Sequence, residues 1–151
     1  MKYQILSSSL YISNRTRLSE KIQTGGLAVF SSNDIYPTSA DGTMAFKQAS
    51  DIFYLTGVDQ EETILILFPS AQNPAHREIL FLKETSEHIA IWEGAKLTKE
   101  QAHAQTGIRN IQWVQDFDKT MRVLMNEANT LYLNDNAHTR ATIEVETREM
   151  R

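Results

Sequence analysis

The chain has 151 residues, 41% hydrophobic and 23% charged, with a formal net charge of −4. That is the size and composition of one soluble globular domain able to bury a substantial core, and it carries no basic footprint for nucleic acid. Without cysteine there is no disulfide framework or thiolate metal site, and a reducing cytoplasm suits the chain. The N-terminus lacks the apolar core of a secretory signal and no segment reaches the ~18–20 apolar residues that span a bilayer, so a cytoplasmic chain without membrane association is expected.

Residues 8–23 are predicted helical. Ser7 to Ser9 offer N-caps, and Tyr11, Leu18 and Ile22 recur at helical spacing with Arg15, Arg17, Glu20 and Lys21 between them. Gly25-Gly26 closes that helix, and Leu27 to Phe30 is a short buried strand. From Ser31 to Thr43 the composition turns to Ser, Asn, Asp, Pro and Gly, which is a loop. The β-branched and aromatic run Ile52 to Leu55 reads as a second strand ended by Gly57. After the polar connection Asp59, Glu61, Glu62 comes Thr63 to Phe68, an apolar run that suits a central strand covered on both faces. A turn over Ser70 to His76 leads into strand Glu78 to Leu82, pairing with it as a hairpin.

Thr98-Lys99-Glu100-Gln101 has the capping-box pattern, and Gly107 closes the short helix it opens. Ile111 to Val114 is a strand. Phe117, Met121, Leu124, Met125 and Ala128 trace one face of a helix, and strand Thr130 to Leu133 follows. Alternating strands and helices after a hairpin-like middle argue for a single α/β domain with a mixed sheet of about five or six strands flanked by helices. The domain is expected to occupy 1–133. Residues 134–151 are polar and charged and read as a solvated helix or linker. No internal repeat is recognised.

Candidate chemistry is sparse. His76, His88, His103 and His138 stand alone, with no His-x-x-x-His pair to share a helical face, and read as surface histidines without a metal role. Asp59, Glu61 and Glu62 lack the alternating ligands and Gly of a calcium loop and read as a solvated turn. No serine sits in a nucleophile elbow, and no Gly-rich loop precedes a Lys-Ser or Lys-Thr pair. Trp92, in Glu87 to Leu97, is a core anchor or an interface anchor, and taken alone the size of its side chain favours the core. Asp41, before Gly42, taken alone reads as an Asx-turn.

The run Phe46-Lys47-Gln48-Ala49-Ser50-Asp51-Ile52-Phe53-Tyr54-Leu55-Thr56-Gly57, leading through an acidic spacer into an apolar strand, resembles the signature of the aminopeptidase P N-terminal domain. The Trp92-Glu93-Gly94-Ala95-Lys96 segment is similar to that family's Trp-x-Gly-x-Arg/Lys, and the remaining elements stand in the family's order over nearly the whole chain. Two departures are Lys47 for the usual Arg, which loses the bidentate fork toward a carboxylate such as Asp51, and Ile52 for an aromatic. Prolidase and creatinase share the fold with a looser motif, and catalytically inactive relatives that serve as protein-binding modules also belong to the superfamily.

The resemblance implies that the chain is the non-catalytic N-terminal domain of a Xaa-Pro aminopeptidase, a metallopeptidase releasing the residue before proline. It implies a separate pita-bread catalytic domain beyond residue 151 holding two divalent ions, usually manganese, so that residues 1–151 alone hold no metal or catalytic residue and are inactive. It further implies partners: that catalytic domain, the neighbouring subunits of a homo-oligomer, and peptides with proline second. Asp41 and Trp92 correspond to family positions at the mouth of a neighbouring subunit's active site.

Overall fold

The computed structural model describes residues 6–40, 42–86 and 96–134. The element order is α1 (Ser8–Ser19), β1 (Gly26–Ser31), α2 (Ser50–Thr56), β2 (Ile64–Leu67), a 3-10 turn at Pro74–His76, β3 (Glu78–Leu82), α3 (Lys99–Thr106), β4 (Asn110–Trp113), a 3-10 turn at Val114–Asp116, α4 (Phe117–Met125) and β5 (Thr130–Leu133). The five strands form one sheet in the order β4-β3-β2-β1-β5. β2 is central and antiparallel to both β1 and β3, whereas β5 runs parallel to β1 and β4 parallel to β3. The mixed sheet and the interior position of the Thr63–Phe68 run are as the sequence predicts.

Alternation along the strands splits the core into two layers. Leu65 and Leu67 of β2 with Leu80 and Leu82 of β3 face a cluster that includes Ile52, Leu55, Val58, Ala102 and Ile108, contributed by α2, α3 and the residues just after them. Ile66, Phe68, Ile79 and Phe81 face the opposite way, onto Leu124 with Phe117 and Met121 of α4. The Phe81 and Phe117 rings meet edge to face, with centroids 5.3 Å apart. Each fully buried aliphatic side chain contributes about 1.5–3 kcal/mol, so a continuous apolar run at the centre of the sheet supplies both layers at once.

One predicted element is of the wrong type. Residues 52–55 are not a strand; they lie inside helix α2, Ser50–Thr56. Their β-branched and aromatic composition suggests a strand, but the buried positions are Ile52, Leu55 and Thr56, the i, i+3, i+4 spacing of a helix face. Asp51 sits in the first turn, where a carboxylate favours helix initiation. Gly57 takes φ 71° and ends the helix in the left-handed conformation.

α2 and α3 end in the same way. Thr56 Oγ1 donates to the Ile52 carbonyl at 2.7 Å and accepts from the Val58 N–H at 3.1 Å. Thr106 Oγ1 donates to the Ala102 carbonyl at 2.8 Å and accepts from the Ile108 N–H at 3.0 Å. Gly107, at φ 76°, matches Gly57. Between these two Thr-Gly-Val and Thr-Gly-Ile ends lies Arg15 of α1, with its side chain 0% exposed. Its Nη1 donates to the Leu55 carbonyl and its Nη2 to the Thr106 carbonyl, each at 2.9 Å, while Nε pairs with Glu78 Oε1 at 3.1 Å. One guanidinium thus caps two helix C-termini, where both the orphan carbonyls and the negative dipole end favour a cation.

Candidate functional site

Strand direction gathers the loops of interest at one end of the sheet. The register Ser31↔Ile64 and Ile64↔Phe81 puts the exit of β1, the entrance of β2 and the exit of β3 together. β5 and β4, parallel to β1 and β3, also end there. The loop after β1, the connection after β3 and the path beyond Asn134 therefore leave from the same side, and the first two carry sequence positions 41 and 92.

Asp41 and Trp92 themselves lie outside the described residues; their flanks are defined. Around position 41 the loop folds back on itself: Pro37 bridges Thr43, the Thr38 N–H donates to the Gly42 carbonyl at 2.9 Å, and the Met44 N–H donates to the Tyr36 carbonyl at 2.9 Å. At the base of the loop, Asn33 Nδ2 donates to the Lys47 carbonyl at 2.9 Å.

Within the signature run, the side chain of Gln48 is tied into the neighbouring loop. Its Nε2 donates to the carbonyls of Val58 and Gln60, at 3.2 and 2.8 Å, and its Oε1 accepts from the Ala49 N–H at 2.8 Å. This ties the start of α2 to the segment that follows it, and sequence reasoning missed it although Gln48 stands in the motif. Lys47 and Asp51 are both exposed, and no ion pair joins them among the described residues. Tyr54 is exposed as well, with its hydroxyl accepting from Arg17 Nη2 at 3.0 Å.

The acidic spacer is not the solvated turn that its composition predicts. Glu61 is buried and pairs with Lys96 Nζ at 2.5 Å, the side chains being 9% and 16% exposed. Glu62 pairs with Lys83 Nζ at 3.0 Å. Gln60, also buried, accepts from the Leu97 N–H through Oε1 at 3.0 Å. Lys83 and Lys96 lie far along the chain from the spacer, so composition alone gives no sign of these pairs. Burying a carboxylate is tolerated because a cation stays in contact with it.

Among the described residues no group of three or more His, Asp or Glu side chains lies close enough together to hold a metal ion. Nor is any described helix long and apolar enough to cross a membrane.

The chain belongs to the family described as aminopeptidase P, N-terminal domain, whose profile matches residues 11–132. Among similar proteins, Xaa-Pro aminopeptidase 3 of Homo sapiens is 28% identical over 137 residues, covering 84% of this chain and 27% of that one. Xaa-Pro aminopeptidase of Escherichia coli K12 is 26% identical over 118 residues, covering 78% of this chain and 26% of that one. The chain thus spans about a quarter of the length of the curated relatives it matches. Aminopeptidase P from E. coli, solved with the inhibitor Pro-Leu, superposes with a TM-score of 0.78 at 24% identity, covering 91% of this chain and 31% of that one. At that identity the superposition establishes the fold.

Proposed function

We propose that the chain is the N-terminal domain of a longer Xaa-Pro aminopeptidase and that its loop end contributes to the mouth of a neighbouring subunit's active site. The observation that carries this reading is the family match over residues 11–132, joined to relatives about three times as long that bear that activity in their names. In this reading residues 1–133 are the domain and 134–151 lead to the catalytic domain. The two divalent ions, manganese in the expected case, belong to that catalytic domain, where they would supply a metal-activated water and stabilise developing charge.

The roles assigned to this chain are positional. Trp92 packs an aromatic face on the substrate's proline or its flanking residue, and Asp41 engages a charged or hydrogen-bonding group beside it. Convergence of both loops on one end of the sheet, and departure of the chain from β5 at the same end, support a single surface turned toward the rest of the protein. The setting is a cytoplasmic homo-oligomer acting on peptides with proline second.

The test is hydrolysis of a Xaa-Pro peptide in the presence of manganese, by the longer protein and by residues 1–151 alone. The longer protein is expected to cleave and the 151-residue chain to be inactive; cleavage by the latter would overturn the assignment. Sedimentation of the longer protein at micromolar concentration is expected to show an oligomer, and a monomer would remove the basis for a contribution between subunits.

A further inference from the structure

The two edges of the sheet differ in how they meet solvent. β4 forms one edge: all four of its residues are half-buried, and the Lys99 ammonium lies over the Trp113 ring, 4.6 Å from its centroid. A charge at an edge is one of the devices that keep native sheets from pairing with one another. β5 forms the other edge among the described strands. Ala128 to Asn134 contains no charged residue and no proline, and its register with β1 runs from Thr130 to Leu133 without a bulge. Leu131 and Tyr132 are each 40% exposed, and Leu133 is 67% exposed.

Pairing with β1 fixes which main-chain groups of β5 remain for another strand. The N–H groups of Thr130 and Asn134 donate to the carbonyls of Gly25 and Val29, at 3.2 and 3.3 Å. Hydrogen-bonding direction alternates along a strand, so Leu131 and Leu133 direct their N–H and C=O groups to the open side. Side chains alternate as well. Leu131 and Leu133 pair with Leu27 and Val29 of the α4-side core, and so lie on that face; Tyr132 pairs with Ala28 and lies on the other.

We propose that β5 is the docking edge for a second copy of this chain, pairing antiparallel with its own equivalent about a twofold axis. The register follows from the same constraints. Residues opposite each other in an antiparallel pair share a face, and those with outward main-chain groups form the hydrogen-bonded pairs. An axis at Tyr132 meets both conditions. Leu131 then faces the partner's Leu133, and Leu133 the partner's Leu131, each pair exchanging two N–H···O=C bonds. Tyr132 faces the partner's Tyr132 in the non-hydrogen-bonded position between them. The absence of charge from this stretch puts no like charges opposite one another, a juxtaposition that would destabilise the pair, and exposed leucines are covered by leucines.

Four residues a side bury well under the ~800 Å² per partner of a stable interface, so the dimer is expected to be reversible and to form at about millimolar concentration. This goes beyond the reading above, whose subunit contact is at the loop end, and depends on none of it.

Sedimentation equilibrium of residues 1–151, combined with cysteine cross-linking, tests the proposal. The parent chain is expected to be monomeric at about 0.02 mM and at least about half dimeric at about 1 mM. Leu133→Lys places a charge on the open edge and is expected to be monomeric at both, with unchanged circular dichroism. Because the chain has no cysteine, Tyr132→Cys puts a single thiol opposite its own copy, with Cα atoms about 4.5 Å apart and within disulfide reach. Thr130→Cys lies on the same face but roughly 14 Å from its copy, out of reach. In a glutathione redox buffer Tyr132→Cys is therefore expected to cross-link at least about tenfold more than Thr130→Cys. A parent chain that stays monomeric at about 1 mM would overturn the proposal and leave the edge to another part of the longer protein. A dimer that Leu133→Lys leaves intact, or equal cross-linking of the two cysteine variants, would overturn it as well.

Discussion

Replacing Arg15 with methionine removes a cation from the centre of the α1, α2 and α3 layer while keeping much of the side-chain volume. The carbonyls of Leu55 and Thr106 then lose donors now held at 2.9 Å. A buried acceptor left unpaired costs about 1–3 kcal/mol, more when the lost partner is charged. The ion pair with Glu78 adds little by comparison, because the Glu78 side chain is 35% exposed and water can replace its partner. Desolvation of the guanidinium is recovered in the variant, which offsets part of the loss. The balance is a destabilisation of about 3–4 kcal/mol, dominated by the two helix ends, and a fall in Tm on the order of 10 °C. Urea and thermal unfolding followed by circular dichroism measure it. Arg15→Lys should lie between, since a single ammonium lacks the fork that reaches both carbonyls and Glu78 together. An Arg15→Met chain within ~0.5 kcal/mol of the parent would show that the double cap is geometrically present but energetically idle.

The two left-handed glycines should respond differently to alanine. A Cβ at Gly57 would land on the ring of buried Tyr11, so Gly57→Ala is expected to cost about 2–5 kcal/mol in urea unfolding, from backbone strain plus overpacking. A Cβ at Gly107 would meet Ile12 Cδ1 at 2.6 Å, the far end of an exposed side chain that can turn away, and about 1–2 kcal/mol from the backbone alone is expected. Glu100, in the first turn of α3, has its carboxyl pKa held below the ordinary value first by a backbone hydrogen bond and then by Thr98. A lowered carboxylate pKa stabilises the fold above the unfolded value, and that contribution is lost as pH falls through the folded value. Glu100→Gln should therefore lower stability slightly at neutral pH, leave it unchanged at pH below the folded value, and so flatten the acid limb of stability against pH.

The sheet was legible because its strands obey simple rules. The run Thr63–Phe68 has apolar residues at every position of the strand core and is covered on both faces; the Thr98–Gly107 helix carries its cap residues at both ends. Over 52–55 composition and period point different ways: the residue types favour a strand, but Ile52, Leu55 and Thr56 hold helical spacing, and Gly57 closes that helix as Gly107 closes the other. The duplicated Thr-Gly followed by Val or Ile was the visible sign that both segments end alike. Arg15 and Glu61 were hidden for a different reason. A charge reads as surface until its partners are known, and those partners, Leu55, Thr106 and Glu78 for one and Lys96 for the other, lie 35 to 91 residues away. The candidate site was legible only through resemblance, since Asp41 and Trp92 sit in no spacing that specifies chemistry.

The central claim, that this domain lends Trp92 to the substrate pocket of a Xaa-Pro aminopeptidase, is tested most directly by kcat/KM of the longer protein carrying Trp92→Ala, with bound metal quantified in the same samples. If Trp92 anchors the substrate, transition-state binding should weaken by about 1–3 kcal/mol, a loss on the order of ten- to a hundredfold in kcat/KM. Metal content should be unchanged. A Trp92→Ala protein with kinetics equal to the parent's would contradict the account.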